Sequence, residues 1–362
     1  MANLSTYIVT ISLSKSSLIS GTYSAPYKAG GPNDTFSFMK TKIVISCDRS
    51  VKYQGDEPLE NIQNTVHHQI KKALMMYQLT NMDNAYVNSI IIKRKTRTKI
   101  DLVTSRTYTR SNQPFIRMSA GVSVFPVGSA ERVLNEDEAA IALRIIISHW
   151  IKGVAIGDVF LKYDSLWRSF ERCAMYSNRN EPNPKIRIQE RSALTQIRAI
   201  LLANGNLYQN SWNIAQGLCY NDISILRWRE CLNNECARKN TRLAGCNDYR
   251  SNFILNNNDN RIVQLQRNTF PVMKKKLHAE NMDTLVWNDI TSKVPIPNNA
   301  ELIAVLLCKY AYFYRCRVFH GEMIAQPVYL PVSVNKEEER VSLLNRLLEA
   351  VVRDFITEFH TL

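Results

Sequence analysis

The chain has 362 residues, 45% apolar and 22% charged, with a formal net charge of +14. That length can bury two ordinary cores, and the balance excludes a disordered or collagen-like polymer. No apolar run reaches bilayer length and residues 1–6 lack a signal peptide's basic start, so a cytoplasmic protein without a membrane partner is expected.

Residues 7–13 place Val9, Ile11 and Leu13 on one side at period two, the pattern of a half-buried strand. Gly21, Pro26, Gly30, Gly31 and Pro32 mark a loop. Residues 36–38 and 41–47 are β-prone, the latter through Ile43, Val44 and Ile45 in a row. Residues 58–79 read as one helix with Ile62, Val66, Ile70, Leu74 and Met75 along its buried side. Residues 87–92, 99–103 and 115–125 are further strand candidates. Residues 1–134 are thus expected to form an α+β recognition or sensor module.

Between two of those strands lies a basic run containing Lys93, Arg94, Lys95 and Arg97. It reads either as a hairpin that grips a phosphate backbone or as a charged edge that discourages strand pairing. A charge of +14 attracts polyanions, so nucleic acid is the expected partner, with a solubility surface as the alternative.

From about residue 135 the pattern turns helical. Acids at 136–138 fill a first turn, where the dipole favours them, and an apolar run through Trp150 follows. Residues 158–172 form a second helix on which Leu166, Phe170 and Ala174 share a side. Residues 191–202 read as a third, closed by Asn204 and Gly205. Residues 206–294 are rich in Asn, with short helical pieces such as 223–231. Cys219, Cys231, Cys236 and Cys246 lack a Cys-x-x-Cys knuckle, so free thiols are expected and no cofactor or metal.

The helix over residues 300–320 is apolar around most of its circumference and ends in Arg315, Arg317 and His320. Charge at the end of such a buried helix is costly unless paired or used. Gly321 suits a C-terminal cap, which places His320 in the last turn. The dipole there favours imidazolium by up to about 2 kcal/mol, and two arginines oppose it. RNA carries its own nucleophile, the 2′-hydroxyl, so an acid/base group and a cation supply the minimum chemistry for cutting it. Arg315 and His320 lie about 140° apart around an ideal helix, so convergence needs an altered last turn or a second subunit. Alternatively, Arg315 pairs with Glu171 or Glu322. The final helix is capped by Asn335, with Glu337, Glu338 and Glu339 in its first turn. Its stripe, from Leu343 and Leu344 to Phe355 and Phe359, is expected to pack on the helix ending at His320.

The run 314–321, Tyr-Arg-Cys-Arg-Val-Phe-His-Gly, resembles the Arg-x4–6-His signature of the HEPN superfamily. Residues 166–176 are similar to the Leu-Trp-x-x-Phe helix that precedes the signature in many members. The resemblance spans about 136–362. It implies an all-α HEPN-like helical bundle over residues 135–362 that dimerises around the signature helices. It also implies a metal-independent endoribonuclease of toxin or antiviral type, leaving a 2′,3′-cyclic phosphate and restrained by its attached module, where a trigger ligand or protein binds. Carried over by position, Arg315 steadies the scissile phosphate, His320 is the acid/base and Glu171 an orienting acid. Arg317 stands where the family has Asn; it adds phosphate affinity or marks a relative that only binds. The rival expectation is a non-catalytic RNA-binding or dimeric assembly protein of a defence system.

Overall fold

The computed structural model describes residues 4–82, 85–116, 122–236, 245–319 and 331–362. They form an N-terminal α+β region followed by a mostly helical one. The compact units divide between Ala155 and Ile156. None of the described helices is long and apolar enough to cross a membrane.

Unit one is built on an antiparallel sheet of order β2-β3-β4-β1-β5-β6. Its strands are β1 Ser5–Leu13, β2 Gly21–Pro26, β3 Asn33–Phe38, β4 Lys42–Arg49, β5 Val87–Lys95 and β6 Ile100–Thr107. Alternation sets the buried face: Tyr7, Val9, Ile11 and Leu13 of β1 lie inward with Ile43, Ile45 and Cys47 of β4. Strand β2 takes residues 21–26 of the expected loop, while Gly30, Gly31 and Pro32 lie outside any strand as expected. Gly21 and Pro26 sit at the two ends of β2 on the sheet edge, where Pro forfeits no ladder bond inside the sheet.

Helix α1, Thr65–Asn81, is tied to the sheet by polar contacts. Gln69 donates to Asp34, Lys72 Nζ to the Pro26 carbonyl and Arg49 to Thr65. The expected helix over 58–79 is broken instead. A separate turn spans Glu57–Glu60, and Asn64 caps α1 by accepting from the Val66 and His67 amides. Ile62 therefore lies outside the helix and is 61% exposed. Strand structure is also missing from the described parts of 115–125, where the Phe125 amide donates to the Leu79 carbonyl.

Helix α2, Glu138–Ala155, belongs with this unit rather than with the helical region expected to begin at 135. Arg144 reaches the Val133 carbonyl at 2.9 Å, and Trp150 packs edge-on against Phe125 at 5.3 Å.

Unit two is helical. Its longer helices are α3 Val159–Ser177, α4 Glu190–Asn204, α5 Gln209–Gly217, α6 Trp228–Cys236, α7 Asn260–Ala279 and α8 Asp283–Thr291. Helix α9 runs as Asn299–Val305, a π-helical stretch Leu306–Ala311 and Tyr312–Phe319; α10 is Pro331–Thr357. Asp158 caps α3 through the Phe160 and Leu161 amides. The expected piece over 223–231 divides into Tyr220–Ser224 and α6. Asn335 lies inside α10, so it is no cap. The α10 stripe is buried as expected, but its main partners are α3 and α5, not α9. Phe355 stacks on Phe170 at 6.4 Å and Phe359 on Tyr176 at 4.8 Å.

Candidate functional site

Helix α3 is the platform for the end of α9. Leu166, Trp167 and Phe170 are buried on its inner side. Tyr163 meets Tyr314 edge-on at 5.1 Å and Trp167 lies parallel to Tyr312 at 6.3 Å. The Tyr163 hydroxyl donates to the Ala311 carbonyl at 2.6 Å. That bond falls at the end of the π-helical stretch, where widened turns leave carbonyls in need of partners. Tyr163 and Trp167 of α3 thus hold the last turns of α9.

Those turns carry Arg315 to a half-buried position, 22% exposed, between two carboxylates. Its guanidinium lies 3.7 Å from Glu171 on α3 and 3.5 Å from Glu190 in the first turn of α4. Three helices therefore contribute one charged group each. Burial pushes the Glu190 carboxyl above its ordinary range; Arg315 opposes the shift, and Glu171 reinforces it by charge and hydrogen bond. Arg317 turns elsewhere, pairing with Glu230 and lying 5.7 Å over the Phe313 ring.

Glu171 and Arg315, both expected at the site, are brought together. Glu190 was not foreseen: it is far from 315 in sequence, and its only signal is an acid opening a helix. His320 lies outside the described residues, as does Glu322. Lys93, Arg94, Lys95 and Arg97 occupy the β5–β6 hairpin of unit one. There Arg94 pairs with Asp101 at 3.1 Å, while Lys93, Lys95 and Arg97 are exposed. Cys231 and Cys246 are buried and Cys219 is exposed; Cys236 has no described side chain. No group of three or more metal-ligating side chains occurs among the described residues.

A cleft of about 400 Å³ opens between α4 and α9, with Asp248 and Asn252 in its lining; Arg315 is not among its lining residues. Tyr312 and Cys316, one turn apart, line it from α9. Burial and the neighbouring Cys316 push the Tyr312 hydroxyl up to about 12, so it stays neutral at physiological pH.

The chain finds no match among protein-family models, curated proteins or solved structures. The likeness to the HEPN superfamily stays a likeness of motif and order.

Proposed function

We propose that unit two is a metal-independent endoribonuclease that uses the RNA 2′-hydroxyl as nucleophile. Arg315 stabilises charge on the scissile phosphate, and His320 moves the proton. The observation that carries this reading is the placement of Arg315: a guanidinium at the tip of a buried helix, half-open to solvent, held by two carboxylates from different helices. Such charges hold an arginine in place, and a held cation contributes more to a transition state than a mobile one. In this reading Glu171 and Glu190 are positioning residues that yield part of their hold when phosphate arrives. A homodimer formed through the helical unit supplies the second His320, and the sheet unit restrains the activity until a trigger binds it, as toxin or antiviral effectors require.

One observation favours the non-catalytic reading. Arg315 and Arg317 are each matched with carboxylates, as structural arginines are. The two readings separate on total RNA incubated with full-length protein in excess chelator. Cutting that yields 2′,3′-cyclic phosphate ends, and that is lost in both Arg315→Ala and His320→Ala, supports the enzyme. RNA left intact in the presence of infected-cell extract, or cut equally by both variants, overturns it in favour of a binding protein. Cutting that needs added divalent cation overturns it in favour of a metal-dependent nuclease.

A further inference from the structure

The cleft between α4 and α9 has features that the placement of Arg315 does not require. Arg191, Leu194, Thr195 and Arg198 line it from α4 at spacings of three, four and seven residues, which is one face of a helix. Arg191 stands in the first turn of α4, where the dipole disfavours a cation, so helix stability does not explain it. Neither Arg191 nor Arg198 pairs with a carboxylate among the described residues, whereas Arg227, Arg250, Arg261, Arg315 and Arg340 all do. Arg198 is nevertheless fixed: its Nη2 donates to the Asn256 carbonyl at 3.1 Å.

The facing wall comes from α9. Lys309, Tyr312 and Phe313 line the cleft there, and among the described lining residues the lone carboxylate is Asp248. Three cations against one acid make the space anion-selective. Two half-buried aromatic rings add the flat apolar surface that a base stacks upon. The volume of about 400 Å³ lies within the range of small-ligand sites and holds one nucleotide.

We propose that this cleft is a seat for a nucleoside phosphate, its phosphate between Arg191, Arg198 and Lys309 and its base against Tyr312 or Phe313. The ligand is either a free nucleotide or one nucleotide of an RNA strand. The seat goes beyond the ribonuclease reading and stands whether or not Arg315 cuts, because it is read by binding alone.

The test is calorimetric titration of the full chain with AMP and with a short 2′-O-methyl oligoadenylate, which cannot be cut. At least one probe binds the wild type. The Arg191→Glu, Arg198→Glu double variant binds that probe weaker by tenfold or more, on the order expected when charge-assisted forks to phosphate are removed. Asp248→Asn, which deletes the opposing charge, binds severalfold tighter, a gain that misfolding cannot produce. Lys185→Ala, an exposed cation outside the cleft, leaves affinity unchanged. AMP that displaces the oligomer identifies a free-nucleotide seat; oligomer binding that AMP does not displace assigns the seat to a strand. Failure of both probes to bind, or equal affinity in the wild type and the double variant, overturns the proposal.

Discussion

Arg315 lies 3.5 Å from Glu190, a residue that belongs to another helix and to a distant part of the sequence. With Glu171 at 3.7 Å, hydrogen-bonded to Glu190, the guanidinium faces a pair of neighbouring acids. Neither separation is a short hydrogen bond, so both carboxylates act mainly through charge. One cation cannot fully compensate two half-buried anions. Glu190 is the member that shows the imbalance, through its raised pKa.

The sign of that imbalance gives a pH-dependent stability. A carboxyl whose folded pKa is raised holds its proton more tightly in the native state than in the unfolded chain. It therefore costs stability as pH rises through the window between the unfolded and folded pKa values, and costs nothing below both. Glu190→Gln removes the titration, so its urea midpoint rises relative to wild type near neutral pH and the gain disappears below the unfolded carboxyl pKa. Wild-type and variant denaturation curves at the two pH values check this. A gain that persists unchanged in acid contradicts it.

On the proposed ribonuclease reading, the loss expected for Arg315→Ala is kinetic. Removing a preorganised donor to a developing phosphoryl charge lowers kcat by about 10²–10³-fold. Arg315→Lys keeps the charge but not the planar fork, and recovers only part of the rate. Single-turnover cleavage of a defined RNA, with circular dichroism as the folding control, reads both variants. A lysine variant as fast as wild type would show that charge alone suffices and that the carboxylates have no orienting role.

Much of the scaffold was legible and the site only half so. Alternation at Val9, Ile11 and Leu13 and the period of Leu166, Phe170 and Ala174 marked buried faces that are buried. Strand β2 was hidden because its Gly and Pro, read as loop signals, are tolerated at the ends of an edge strand. The π-helical stretch at Leu306–Ala311 carries the same apolar residues an α-helix would, so periodicity could not reveal it. The meeting of Glu190 with Arg315 depends on how α3, α4 and α9 pack, and no local pattern encodes it. Helix α2 was read with the wrong neighbour because the onset of helical periodicity carries no information about which core a helix joins.

Within the sheet unit, Asp34 and Arg49 form a buried pair at 2.5 Å, and Gln69 donates to the same carboxylate. Tyr27 closes over the guanidinium at 4.2 Å. Breaking one partner of such a pair strands the other in low dielectric. Arg49→Met and Asp34→Asn are each expected to cost about 3–5 kcal/mol. Arg94→Ala, which breaks a more exposed pair with Asp101, costs about 1 kcal/mol or less. Chemical denaturation followed in the sheet signal distinguishes the two classes, and similar losses at both sites would mean that burial is not what makes the first pair matter.

In the helical unit the decisive contact is between α3 and α10, because α3 also fixes the turns that carry Arg315. Phe170 sits on the face that meets Phe355 and borders Trp167 at 5.5 Å. Phe170→Ala therefore removes a fully buried ring from the junction and is expected to cost about 3–5 kcal/mol. Phe170→Leu keeps most of the volume and costs less, on the order of 1–2 kcal/mol. Because Trp167 lies against Tyr312, the Ala variant also loosens the seat of α9, and on the proposed ribonuclease reading RNA cleavage falls even at temperatures where the protein stays folded. Thermal unfolding and cleavage measured on the same samples test the coupling. Full activity in a destabilised but folded Phe170→Ala protein would separate the packing of α3 from the positioning of Arg315.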